Sequence, residues 1–587
     1  MTDWVHPALV FVVGALVLPL LKGRLLQVWL LVIPAAAVAA VAAMTPGEFG
    51  GFEFLGVRLL IGKVDKLSLV FAWVFTIMAF IGCVYSLHVR GPAQHVAAFL
   101  YIGSALGVVF AGDWFTLLVS WEIMAFASAY LIFASRQAPA VRAGMRYLMV
   151  HITGGVLLFG GIVLHGMETG SYLFGPLENT GGLAYSLILI SFILNAAVPP
   201  LNAWLTDAYP EATVTGAVFL SAFTTKTAVY VLIRAYPGTE ILIWLGAAMA
   251  LYGVIYAVLE NDCRRLLAYH IVSQVGYMVV GVGIGTEMAL NGTASHAFAH
   301  IFYKGLLFMG AGAVIHMTGR RKLTELGGLY RTMPWTVALY MIGAFAISAF
   351  PFFSGFVTKS MVIAAAAGDN RAAVVLMLTV ASSGTFLHTG LKLPYYMFFA
   401  KDCGLRPKEP PINMLLAMGV AAVLCIGIGL WPGVLYDLLP YPVDYAPYTG
   451  AHITGSLSIL MFTALGFFLF LRSLDPERTI SLDTDWLYRK AARWFMWFAE
   501  KPVARWEGMV SGLSDTVIWR SLNAAARGSL SSDRDIVDAF VNGVARTALA
   551  WGASARRMQT GVVTHYAGAM IGGVLASIAL YVLLRSG

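Results

Sequence analysis

The chain has 587 residues, 59% of them hydrophobic and only 12% charged, with a formal net charge of +8 at pH 7. A soluble fold cannot keep so much apolar surface from water, so the composition excludes a soluble enzyme and leaves a polytopic membrane protein. Positive charge is spread over short loops, which reads as membrane topology rather than nucleic-acid binding. Cys83, Cys263, Cys403 and Cys425 lie far apart with no CxxC and no His/Cys cluster, and there is no Walker sequence. No metal, no cofactor and no catalytic residue is expected in this chain.

A span needs about 20 apolar residues. About sixteen runs qualify in chain order: 5–21, 25–44, 66–88, 94–112, 114–134, 142–165, 183–206, 213–235, 239–259, 266–286, 296–317, 335–367, 371–399, 413–436, 453–471 and 564–585. The first run imitates a signal peptide, but no small-residue cleavage site follows before Lys22 and Arg24, so it reads as a span. Run 183–206 is interrupted at Pro199-Pro200, whose missing amides leave carbonyls free, and run 335–367 between Pro351 and Gly355. Segment 45–65 is a mixed loop. Loops carrying Arg264/Arg265, Arg320/Arg321/Lys322 and Lys401/Arg406/Lys408 fall on one side, so the positive-inside rule puts the N-terminus outside.

Two broken spans about 150 residues apart suggest an inverted repeat, a recognised pointer to an ion site near the midplane. The expected domains are 1–93, N-terminal spans; 94–238 and 239–400, two inverted five-helix units each with a broken helix; and 401–472, additional spans. Segment 473–563 mixes six tryptophans with arginines and acids, as helices lying in the interface plane do. GSLSSDRD at 528–535 should interrupt them, with Ser531 or Ser532 capping the next helix. A last span, 564–587, anchors the chain. The fold class is all-α, polytopic, with a C-terminal amphipathic lateral helix.

Four ionisable residues lie inside apolar runs: Glu122, Lys226, Lys304 and Lys359. Each costs about 2.5–3.5 kcal/mol at mid-membrane on insertion scales, and the usual reason to retain such groups is an ion or proton path. His296, His300 and Lys304 recur every fourth residue, so they line one face of a helix as a ladder of proton donors and acceptors. Glu122 suits a carboxylate governed by a nearby cation. Lys359 would snorkel to the headgroups unless the preceding break carries it into the bundle. His151, His270, His388 and Lys392 are second-rank relay candidates. Asn291-Gly-Thr is a glycosylation motif by coincidence of sequence.

These residues, in the strings FTLLVSWEIMAFASAYLI, PPLNAWLTDAYPEATVTGAVFLSAFTTKTAVYVLIR, RRLLAYHIVSQVGYM, HAFAHIFYKGLLFMGAGAVIHMTGRRKLTELGGL and FPFFSGFVTKSMV, carry a resemblance. The chain resembles the antiporter-like subunits shared by respiratory complex I and the Mrp-type cation/proton antiporters, above all the D-type subunit of Mrp. Its tail looks like the end of the longest such complex I subunit. The resemblance implies a proton-translocating subunit of a multisubunit Na+/proton antiporter in the bacterial inner membrane, with hydrophobic partner subunits, lipids, protons and Na+ as its partners and no nucleic acid. Alternatives are the same subunit in a redox-driven pump, complex I-like or membrane-bound hydrogenase-like, and a non-conducting scaffold. It also implies that Glu122, Lys226, His296, His300, Lys304 and Lys359 carry the path. The family lysine before the first break aligns with Asn195, family histidines with Asn202 and Tyr209, and a family serine with His270.

Overall fold

The computed structural model describes residues 4–54, 56–179, 181–477, 485–557 and 561–585. Its contacts divide the chain into two units, Met1–Trp486 and Leu487–Gly587. In the first, α1 (Pro7–Val17) and α2 (Gly23–Ala42) precede a hairpin of β1 (Gly47–Phe54) and β2 (Val57–Val64). Then come α3 (Lys66–Ser86), α4 (Pro92–Phe110), α5 (Trp114–Phe133), α6 (Ala138–Thr169), α7 (Leu183–Asn195) and α8 (Ala203–Ala208). The centre holds α9 (Val214–Ala222), α10 (Thr224–Ala235), α11 (Glu240–Leu259), α12 (Cys263–Ile284) and α13 (Glu287–Thr318). The unit ends with α14 (Pro334–Ile347), α15 (Ser354–Gly368), α16 (Ala372–Thr385), α17 (Ile412–Leu430), α18 (Gly433–Tyr436) and α19 (Gly450–Leu469).

Among the described residues, thirteen helices are long and apolar enough to cross a membrane. Three shorter apolar helices, Pro7–Leu20, Leu183–Asn195 and Pro334–Ile347, fall on the remaining expected runs. The last two are short because they are the first halves of the broken spans. The hairpin corrects the reading of 45–65 as a loop. Glycines interrupt its alternation of side chains, and pairing between strands fixes what propensity leaves open. Its Phe49 stacks on Trp4 at 5.0 Å.

The inverted repeat is written in the caps. Asp113 accepts from the amides of Phe115 and Thr116 to start α5, and Asp262 from those of Arg264 and Arg265 to start α12. Asp113 bridges to Leu173 and Asp262 to Lys322. Helices α6 and α13 are both 32 residues long and both end on a left-handed glycine, Gly170 and Gly319. The same sequence separation relates every one of these pairs. The orientations oppose: Thr213 N–H donates to Leu131 O at the end of α5, while Arg264 at the start of α12 donates to Ala212 O at 2.9 Å.

The two breaks are also one device. At the first, Val198 N–H donates to Ile193 O at 3.0 Å and Ala197 N–H to Leu194 O at 3.0 Å. At the second, Phe350 N–H donates to Phe345 O at 3.1 Å and Ala349 N–H to Ala346 O at 3.2 Å. This is the helix-ending motif in which one residue turns left-handed, here Ala197 (φ 59°) and Ala349 (φ 56°). Glycine normally fills that position, because a Cβ there costs about 1–2 kcal/mol. Pro199 and Pro351 then remove the next amides.

In the second unit α20 (Asp485–Phe498), α21 (Ala504–Leu513), α22 (Arg520–Ser532) and α23 (Asp538–Arg557) are joined by π-helical turns, and α24 (Val563–Arg585) follows. The expected interruption at 528–535 is corrected: the chain stays helical, with a π turn at Asp533–Val537. Ser531 Oγ bonds back to Gly528 O at 3.1 Å instead of capping, and Ser532 makes no side-chain cap. Residues 478–484 and 558–560 of the expected lateral segment, and 586–587 of the last span, lie outside the described residues.

Candidate functional site

Lysine 226 sits where one expected span splits. Helix α9 ends and α10 begins around Phe223 (φ −100°, ψ −65°), and the fully buried Lys226 ammonium donates to Ser221 O at 2.7 Å and Thr225 Oγ1 at 3.1 Å. This third break was not expected from sequence. Its signal is FTTKT, where threonine hydroxyls compete for the backbone.

His296, His300 and Lys304 lie on one stripe of α13, as their spacing requires, and all three are fully buried. The imidazole rings of His296 and His300 are 6.2 Å apart, and His296 Nδ1 lies 3.5 Å from Thr358 Oγ1 on α15. Lys226 and Lys304 are within electrostatic reach of each other and of His300. The Lys304 ammonium and both His300 nitrogens have no protein hydrogen-bond partner among the described residues.

Lys359 is 1% exposed, so it does not snorkel. Its ammonium donates to Ile347 O at 3.2 Å, a carbonyl whose usual helical partner would be the missing amide of Pro351. The same ammonium lies 5.4 Å from the centre of the Tyr277 ring, which is itself 5.9 Å from the His296 ring. Tyr277 and Thr358 therefore connect Lys359 to the ladder. Sequence reasoning missed both, because neither is ionisable near neutrality and neither lies on the ladder helix α13.

A branch leaves the ladder through the second-rank candidates. His270 on α12 is within reach of the Lys304 charge, and its ring lies 6.0 Å from that of His388. His388 and Lys392 share a π-helical stretch, Phe386–Lys392, and the Lys392 ammonium donates to Val258 O. Wider helical turns of this kind are frequent at functional sites. Both His270 nitrogens, His388 Nδ1, Thr389 Oγ1 and Gln274 Oε1 are buried without a protein partner among the described residues.

The first half is built differently. Glu122 on α5 is partly buried against Gly155 of α6, where any Cβ would overlap its carboxylate. Among the described residues it forms no ion pair. Asn195 is buried with both amide atoms unpartnered among the described residues, its Oδ1 facing Gly154. His151 is stacked on Tyr147 at 4.0 Å, with Nδ1 on Tyr147 O at 2.9 Å. The repeat places His151 opposite His300, and Gly155 opposite Lys304. The structure thus brings Lys226, His296, His300, Lys304, Lys359, His270, His388 and Lys392 together and leaves Glu122 outside that set.

Other expected features resolve simply. Asn291 is buried and its Nδ2 donates to Tyr441 O at 2.9 Å, so the glycosylation motif is structural. Asp262 is a cap and also pairs with Arg321 at 2.9 Å.

Fold and site define a polytopic membrane protein carrying buried ammonium and imidazole groups in its interior. The sequence pattern described as "NADH:quinone oxidoreductase/Mrp antiporter, TM" matches residues 111–386. The chain is 31% identical over 358 residues to the D-type subunit of the Na(+)/H(+) antiporter of Alkalihalophilus pseudofirmus, covering 55% of this chain and 72% of that protein. It is 29% identical over 447 residues to Hydrogenase-4 component B of Escherichia coli, covering 67% of this chain and 65% of that protein. A subunit in the structure of the Mrp complex from Dietzia sp. superposes with a TM-score of 0.65 at 22% identity, covering 78% of this chain and 99% of that one. The chain belongs to the NADH:quinone oxidoreductase/Mrp antiporter family.

Proposed function

We propose that this chain is the proton-translocating membrane subunit of a multisubunit Na+/proton antiporter in a bacterial inner membrane. The observation that carries the reading is the row of fully buried groups from Lys226 through His300, Lys304 and His296 to Lys359. Buried ammonium groups without carboxylate partners are far too costly to serve packing. Protonating one group raises the electrostatic work of protonating its neighbour, so charge steps along the row. The unpartnered imidazole nitrogens and hydroxyls beside it are polar enough to hold ordered water between the steps.

Lys392 and the π-helical stretch lead towards the arginine-rich loops, the cytoplasmic side by the positive-inside rule. Glu122 is half-buried against Gly155 in the first half, apart from this row. The partners are other hydrophobic subunits, and the exposed amphipathic helices α20–α23 lie along the membrane interface.

Everted membrane vesicles test the reading. Lys304→Ala and Lys226→Ala should each abolish cation-driven proton exchange while the complex still assembles. Wild-type exchange from Lys304→Ala removes the ladder from the mechanism. Flavin or iron–sulfur subunits in the isolated complex would replace cation exchange by a redox reaction as the driving force.

A further inference from the structure

A groove of about 600 Å³ runs along the outside of the first half, between the turn after α1, the start of α4 and the second half of α5. Pro19, Pro92, Val96, Leu100, Phe126 and Tyr130 line it, and the Tyr130 hydroxyl is the one polar side-chain group among its lining residues. Ile123, Phe126 and Tyr130 are exposed, so the groove is open along its side. From Pro92 to Leu100 it follows α4 for about 12 Å. Spread over that length, the volume has about half the cross-section of a helix with its side chains, which is about 10–12 Å across. It is too narrow to seat a helix of another subunit and wide enough for extended acyl chains.

One end of the groove opens among cations. Lys22 and Arg24 follow Pro19, Arg90 precedes Pro92, and Arg136 follows Tyr130 just beyond the end of α5. All four are exposed, and among the described residues none of them forms an ion pair. Segments 18–24, 87–93 and 134–141 contain no aspartate or glutamate. Gln27 Nε2 donates to Leu87 O at 3.3 Å and ties the start of α2 to the end of α3. Thr213 N–H reaches Leu131 O, and Arg264 reaches Ala212 O, so α5 ends at the face of the arginine-rich loops.

We propose that this groove binds a phospholipid with an anionic headgroup, its acyl chains along α4 and α5 and its phosphate among Lys22, Arg24, Arg90 and Arg136. Basic clusters at the cytoplasmic ends of spans attract anionic lipid, and the chains add burial of apolar surface along the groove. Tyr130, in the last turn of α5, sits where an amphipathic ring meets the headgroup level. The inference is independent of the antiport reading.

The test uses the full chain, purified in neutral detergent, stripped of lipid and titrated with phosphatidylglycerol or with phosphatidylcholine of the same acyl chains. Native mass spectrometry counts the bound lipid. Phosphatidylglycerol should bind about tenfold more tightly than phosphatidylcholine, and Arg90→Gln with Arg136→Gln should remove most of that preference. Lys322→Gln with Lys408→Gln removes the same charge from loops before α14 and α17. It should leave the preference within about twofold, because distant surface charges are screened. Equal affinity for the two lipids, or equal losses in the two double variants, overturns the proposal. A second arm locates the site. Phosphatidylglycerol with a diazirine on one acyl chain should label the peptides carrying Val96, Leu100 and Phe126. Ala93→Trp fills the open end of the groove from an exposed position and should remove that labelling. Labelling confined to other helices, or unchanged by Ala93→Trp, overturns the proposal. The same peptides should be labelled in the intact complex; loss of labelling there means that another subunit covers the groove, and it overturns the lipid site as well.

Discussion

The ammonium of Lys359 and the carbonyl of Ile347 lie 3.2 Å apart across the second helix break, twelve residues apart in sequence. Proline 351 removes the amide that would have closed that turn, and the side chain of the following helix takes its place. At the first break the neutral indole N–H of Trp204 donates at 3.0 Å to the Leu194 carbonyl, one residue before the Asn195 carbonyl that matches Ile347. The first break thus carries a neutral donor close to the place where the second carries a cation.

Replacing Lys359 by methionine should abolish exchange and leave the Ile347 carbonyl without its charged donor. A lost bond of this kind destabilises by about 1–3 kcal/mol. The thermal midpoint of the detergent-solubilised complex should fall modestly while the subunits remain together. Full exchange from this variant would place Lys359 outside the path.

His270→Ser tests the branch towards Lys392. Exchange should fall about tenfold, and adding His388→Ala should cost little more, because groups acting in one relay are non-additive. Two independent, multiplying losses would show that the two rings serve separate purposes. Initial rates in vesicles decide between these outcomes.

Asn195→Lys introduces a cation into the half where Glu122 has none. If the two side chains meet across Gly154 and Gly155, the substitution changes exchange about threefold or more with Glu122 present and less with Glu122→Gln. Equal effects in both backgrounds would show that positions 122 and 195 do not communicate.

Gly429 of α17 lies directly on the backbone of Phe352, which has φ 72°, and a Cβ there would overlap the Phe352 carbonyl. Gly429→Ala should push the second break out of place and destabilise by about 1–3 kcal/mol, the usual range for overpacking. A thermal midpoint equal to wild type would show that the break adapts freely.

Much of this protein is legible in the chain alone. Run length and apolar composition pick out the thirteen helices long enough to cross a membrane among the described residues, because a bilayer imposes one length and one polarity on whatever crosses it. Buried lysines and the spacing of His296, His300 and Lys304 mark the ladder, because a helix repeats side chains at a known interval. Pro199, Pro200 and Pro351 mark the breaks through the amides they lack. The hairpin at 47–64, the split at Phe223 and the continuous helix through 528–537 escape such reasoning. Each depends on which hydrogen bonds compete successfully, and that competition is decided by neighbours.

Only the tertiary structure decides which charges meet. Sequence treats Glu122 and Lys359 alike, as ionisable residues in apolar helices, yet one packs against Gly155 without a cation and the other reaches Ile347, Tyr277 and a cavity. Periodicity fixes which face of a helix a residue occupies. What that face confronts is set by helices hundreds of residues away, and contact between them is a property of the packed bundle rather than of any one segment.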